Sequence, residues 1–215
     1  MKRLIVVSLC LLAAACGTPA PATPSTTDES RVHVTFETYM KAGAAKDGDT
    51  VVTVVASSMF DIYDQARKLA LTGTEQQVAA VPLSRRAFVY ALRRDVDAPT
   101  LRTASPRDLV RIGVENGLVN EQNAANVKLG AVAVSGDTAS AEVLMGGEVA
   151  PYRFSFVREE GSWKLDPRPM FDLSDTALAD IAAKRNLTPD QLFEQTMVAK
   201  YGAAKVAELR QPVGG

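Results

Sequence analysis

Four arginines, Arg85, Arg86, Arg93 and Arg94, carry the densest charge in this chain. On a helix, positions seven apart lie about 20° apart around the axis, so Arg86 and Arg93 share a face and the other two flank it. Such a face could hold an anionic ligand, phospholipid headgroups or an acidic partner. The plainer reading is a solvated face paired with acids such as Asp95 and Asp97. His33, the sole histidine, is a candidate base, but it stands beside a polar segment where surface exposure is expected. Trp163, the sole tryptophan, is expected to close a sheet from within the core, with ligand stacking as the alternative. One histidine and two cysteines, Cys10 and Cys16, leave no inventory for Cys–His catalysis or for a Cys/His metal site, so neither metal nor cofactor is expected. Phosphate-binding glycine loops and Ser-His-Asp arrangements are also missing from the sequence.

The beginning of the chain gives Cys16 its meaning. Lys2 and Arg3 precede an apolar run from Leu4 to Ala15, which is too short to span a bilayer but suits a signal-peptide core. The run ends in Ala13-Ala14-Ala15-Cys16-Gly17. This resembles the lipobox of bacterial lipoproteins, with Leu12 one place before the favoured position and Ala13 in that position. The alternative is an ordinary signal peptide with Cys16 incidental. The resemblance implies cleavage before Cys16 and a diacylglycerol on its sulfur. It also implies residence in the cell envelope, and Gly17 in place of Asp implies the periplasmic face of the outer membrane in a Gram-negative host. Loss of residues 1–15 takes Lys2 and Arg3, leaving 22 basic against 25 acidic residues, a balance that argues against nucleic-acid binding. Residues 17–29 contain three prolines and no bulky apolar side chain, and read as a disordered tether able to reach about 40 Å at roughly 3 Å per residue.

From Ser30 onwards the pattern is that of a folded domain. Val32, Phe36, Tyr39 and Met40 fall at helical spacing. A second helix, capped by Asp49 or Thr50, is expected to run unbroken to Gly73. A short helical piece follows at 74–80, then a helix from Ser84. Ser105-Pro106-Arg107-Asp108 is a strong helix start. The period then changes to two. Strands are expected at 127–134, 139–145, 152–156 and 163–165, forming an antiparallel meander in which no strand offers a buried acid. Helices at 175–184 and 189–201 close the chain.

Helices followed by a meander ending in EEGSWKLDP, Glu159 to Pro167, resemble the NTF2-like superfamily. FETYMKAGAAKDGDTVVTVV fits its first helix and the step to the second. The resemblance implies an α+β cone, with N-terminal helices packed on a curved antiparallel sheet over residues 30–171. A C-terminal helical extension at 172–215 lies beyond it. It also implies a pocket between sheet and helices. In the isomerase branch such a pocket pairs a tyrosine donor with a carboxylate base, and here Tyr39 and Asp61 are the candidates. The second, neutral acid of that chemistry has no counterpart. The expectation is therefore a non-catalytic, membrane-tethered domain that binds an envelope partner protein or a small ligand, with Arg86, Arg93, Tyr39, Asp61 and Trp163 as candidate contacts. The alternative is a small-molecule-binding protein or enzyme using the cone pocket.

Overall fold

The computed structural model describes residues 26–117 and 126–214, so the expected leader, Cys16 and the tether up to Ser25 lie outside the described residues. The described chain is α+β. Its helices are α1 (Thr26–Ala44), α2 (Gly48–Val54), α3 (Ser57–Thr72), α4 (Glu75–Ala79), α5 (Leu83–Asp95), α6 (Ala98–Thr103) and α7 (Pro106–Glu115). The strands β1 (Val127–Ser135), β2 (Thr138–Met145), β3 (Glu148–Glu159) and β4 (Ser162–Asp166) follow, and then α8 (Arg168–Lys184), α9 (Pro189–Tyr201) and α10 (Ala203–Leu209). The strands pair antiparallel in chain order. Gly146-Gly147 and Glu160-Gly161 take positive φ at both turn positions, as two-residue hairpins with the sheet's right-handed twist require.

Helix α1 begins at Thr26, so the last four residues of the expected tether are helical. Asp28 and Glu29 stand in its first turn, where acids are favoured by the helix dipole. The Asp28 carboxylate accepts from Arg158 Nη2 at 2.7 Å and from Trp163 Nε1 at 3.3 Å, tying the start of α1 to β3 and β4. The hydrogen bonds from Arg158 and then Trp163 hold this carboxyl below its usual range. A depressed folded-state pKa gives stabilisation that is present above the unfolded value of about 4 and lost as pH falls through the folded value. Trp163 fluorescence is therefore expected to stay constant from pH 7 down to about 4 and to red-shift only in stronger acid. Asp28→Asn should show the red shift already at pH 7, and a wild-type shift complete above pH 5 would contradict the pairing.

The helix expected from Thr50 to Gly73 is two helices. Val51, Val52, Val54 and Val55 are β-branched and favour extended backbone. Val55 and Ala56 are extended: Val55 bridges Leu165, and the Ala56 N–H donates to the Leu165 carbonyl at 2.9 Å. The helix restarts at Ser57, whose N–H and Oγ donate to the Glu159 carboxylate. Thr35 Oγ1 donates to the Trp163 carbonyl, so the outer edge of β4 is covered rather than open. α2 is capped two or three residues earlier than expected, by Asp47, which accepts from Thr50 N–H at 3.0 Å and Thr50 Oγ1 at 2.6 Å. The helix start expected at Ser105 forms as a reciprocal cap with Asp108, and Thr188 and Gln191 make a second reciprocal cap at the start of α9. α8 starts at Arg168 rather than Asp175, so residue 172 falls inside a helix.

Two apolar cores result. One joins α1 to the sheet through Val32, Phe36, Leu129, Ala141, Phe156 and Trp163. The other fills the space between α2, α3, α4, α5, α6, α7, α9 and α10, with Val51, Tyr63, Val89, Leu92, Leu101 and Leu109 among its members. Tyr39 packs against both.

Candidate functional site

The two cores meet around Tyr39 without merging, and the gap is a cavity of about 410 Å³. This is within the range of small-molecule sites. Tyr39 comes from α1, Met59 and Tyr63 from α3, Phe88 from α5, Phe154 and Leu165 from the sheet. Met170, Phe171 and Ser174 close it from the first half of α8. The walls are therefore mostly aromatic and thioether, with Phe88 edge-on to Tyr63 at 4.4 Å between centroids. Burial pushes the phenol of Tyr39 up, and burial with a further push from Tyr39 raises that of Tyr63. Both remain protonated donors at any physiological pH. Neither hydroxyl makes a hydrogen bond among the described residues.

Asp166, at the end of β4, is the acid at the cavity wall, and it corrects the expectation that no strand offers a buried carboxylate. The strand carries it beneath α3 and α8, where it is only 5% exposed. Its lone pairs are taken. Oδ1 accepts from Ser58 Oγ at 2.8 Å, and Arg168 donates to both oxygens at 2.7–3.0 Å. Burial pushes its pKa up, but Arg168 and Ser58 together carry it below the usual range. An acid held ionised and fully hydrogen-bonded is poorly suited to act as a general base.

Asp61 does not join Tyr39. It lies on the exposed side of α3, outside the cavity. The paired donor and base suggested by the isomerase resemblance are therefore not assembled. Trp163 is 3% exposed in the sheet core, with Arg158 stacked 4.6 Å from its ring. Its place beside Asp28 follows from the α1 contact and leaves no open ring face for stacking in the cavity. His33 is half-buried on α1, in a separate cleft with Glu37 and Lys128.

The four arginines do not form one basic face. Arg86 and Arg93 do share a face of α5, but it is the buried one. Arg86 donates to Asp190 at 2.8 Å and to the Ala79 carbonyl at 2.5 Å, linking α5 to α4 and α9. Arg93 donates to the carbonyls of Leu69, Ala70, Gly73 and Leu209. Arg85 lies over Phe171 and Arg94 pairs with Asp95. The missed signal is that Arg86, Val89, Tyr90 and Arg93 fall on one i, i+3, i+4, i+7 stripe, so two of the charges had to be buried with the apolar residues.

Among the described residues, no three His, Cys, Asp or Glu side chains are placed to hold a metal ion, and no helix is long and apolar enough to cross a membrane. Comparison with known proteins finds no matching family model, no matching curated protein and no matching solved structure.

Proposed function

We propose that this protein is an envelope lipoprotein, anchored through Cys16, whose NTF2-like domain binds a small apolar molecule without transforming it. The cavity carries this reading: about 410 Å³ of space lined by aromatic, methionine and tyrosine side chains. Phe36 and Trp163 pack elsewhere, so the space between sheet and helices is not filled by the protein's own aromatics. Two features favour binding over turnover. Asp166 is tied by Arg168 and Ser58, and Asp61 faces away. One long helix over a four-stranded meander, with further helices closing the open side, supports the NTF2-like assignment.

The test uses the methionine methyl groups as reporters in the lipidated full-length protein, reconstituted in nanodiscs. Met59 and Met170 line the cavity, whereas Met145 is exposed at the β2–β3 hairpin and Met197 is buried in the helical core. Titration with naphthalene is expected to shift the Met59 and Met170 methyl resonances saturably and to leave Met145 and Met197 in place. A Met59→Trp variant, which fills the space, should lose the response. Unshifted Met59 and Met170 resonances in the wild type would refute the proposal.

A further inference from the structure

A cleft of about 630 Å³ opens between the first half of α1, the end of α2 and β4. Two cations line it, Arg31 from α1 and Lys164 from β4, beside the hydroxyls of Thr53 and Ser162 and the apolar side chains of Val34 and Val54. None of its lining residues is acidic. Neither cation is neutralised within the fold. Lys164 Nζ donates to the Thr53 carbonyl and meets no carboxylate among the described residues. Arg31 stands 3.7 Å from Asp28, whose oxygens already accept from Arg158 and Trp163. Two other acids at this end of the sheet are also engaged: Asp137 lies 3.4 Å from Arg158, and Glu159 accepts from Ser57. Glu160, in the β3–β4 turn, has no partner among the described residues.

The cleft also lies at the anchored end of the domain. Residues 17–25 alone separate Cys16 from the start of α1 at Thr26, a reach of at most about 35 Å. The β2–β3 hairpin is at the opposite end of the sheet, because Val149 and Arg158 are about 30 Å apart along β3 at 3.3 Å per residue. Resting on the lipidation proposed above, we infer that this cleft docks on the membrane that carries the anchor. Arg31 and Lys164 meet the phosphate of an anionic phospholipid headgroup, and Val34 meets the interface. A phosphodiester offers acceptor oxygens to the arginine fork and a negative charge to the lysine. Each cation near an anionic surface favours docking about fivefold, so the pair favours it about 30-fold. The tether makes docking an intramolecular step, in which weak contacts become populated. The domain then stands on its α1–β4 end, with the β2–β3 hairpin directed away from the bilayer.

The test places the lipidated mature chain in nanodiscs containing a headgroup spin-labelled lipid and reads paramagnetic relaxation at two valine methyls. Val34 and Val149 are similarly exposed, at 61% and 63%, so a difference between them reports orientation and not accessibility. In phosphatidylglycerol discs Val34 is expected to be relaxed strongly and Val149 spared. Exchange of the lipid for phosphatidylcholine should lower the docked-to-undocked ratio about 30-fold, and so should Arg31→Gln combined with Lys164→Gln in phosphatidylglycerol. Arg31→Lys keeps the charge and should nearly preserve the ratio. Glu160→Gln removes a repelling charge and should raise it. Salt at about 1 M, where screening acts within roughly 3 Å, should abolish the preference for the anionic lipid. Equal relaxation of Val34 in the two lipids, a ratio that survives the double substitution, or stronger relaxation of Val149 would each overturn the inference and leave the anchor standing. Inorganic phosphate is the last probe: saturable shifts of Val34 with phosphate, without any preference between the lipids, would assign the cleft to a soluble anion and overturn it as well. A chain that never enters the discs would remove the lipidation reading and the docking with it.

Discussion

Replacing Cys16 with serine is expected to move the protein from the membrane fraction to the aqueous one almost completely. Cys16 is the proposed site of lipidation. Residues 1–15 supply two cations, an apolar run and small residues before Cys16, the arrangement a lipoprotein leader needs. Each buried methylene contributes about 0.8 kcal/mol, so a single acyl chain binds reversibly while two or three together hold for the life of the protein. Among the described residues no helix is long and apolar enough to replace that anchor. Detergent-phase partition and metabolic labelling with an alkyne fatty acid read the outcome directly. The wild type should carry label and enter the detergent phase, and Cys16→Ser should do neither. Cys10→Ser is the control: Cys10 lies within the proposed leader, so the mature protein should be labelled and anchored as before. An unlabelled wild type in the aqueous phase would leave Cys16 incidental to an ordinary signal peptide.

The sheet was legible because its signals are local. Alternating apolar residues in β2 and the glycine-bearing turns fix strand pairing within a few residues, and the Ser105 and Thr188 caps announce their helices. What escaped depends on distant partners. Asp28 looks like part of a polar tether until Trp163 and Arg158, about 130 residues away, provide it with donors. The break at Val55–Ala56 exists because Leu165 offers a carbonyl and a strand edge there. The cavity is legible only as a difference: Tyr39, Met59 and Phe154 each read as core residues, and whether their volumes fill the space is not encoded in any periodicity. Asp166 was missed because strand parity alone says nothing of α8 folding back over the end of β4.

Arg93 is where stability should be lost most sharply. The residue is 6% exposed, and its guanidinium faces no carboxylate among the described residues. Burial pushes its pKa down, with Tyr90 opposing. Its charge is met instead by carbonyls: Leu69 and Gly73 at 2.7–2.8 Å and Ala70 at 3.3 Å at the end of α3, and Leu209 at 2.8 Å at the end of α10. Both helices thus present their negative dipole ends to one cation. Methionine would fill much of the volume but satisfy none of these groups. The Leu69 and Ala70 carbonyls keep second donors, the N–H groups of Gly73 and Val213. The Gly73 and Leu209 carbonyls keep none among the described residues. Two orphaned carbonyls at about 1–3 kcal/mol each put the cost of Arg93→Met near 3 kcal/mol. For a domain of this size that is a fall of about 10 °C in melting temperature. Arg94→Met, one residue along, removes only a partly exposed pair with Asp95 and should cost under about 1 kcal/mol. Lysine at position 93 should recover only part of the loss, since one ammonium cannot reproduce the planar fork that spans two helix ends. Hydrogen exchange would localise the damage. The amides of α10 should lose protection first in Arg93→Met, because Leu209 is the one clamped carbonyl outside α3 and its C-cap. A variant melting within about 2 °C of the wild type, with α10 still protected, would show that the clamp contributes nothing.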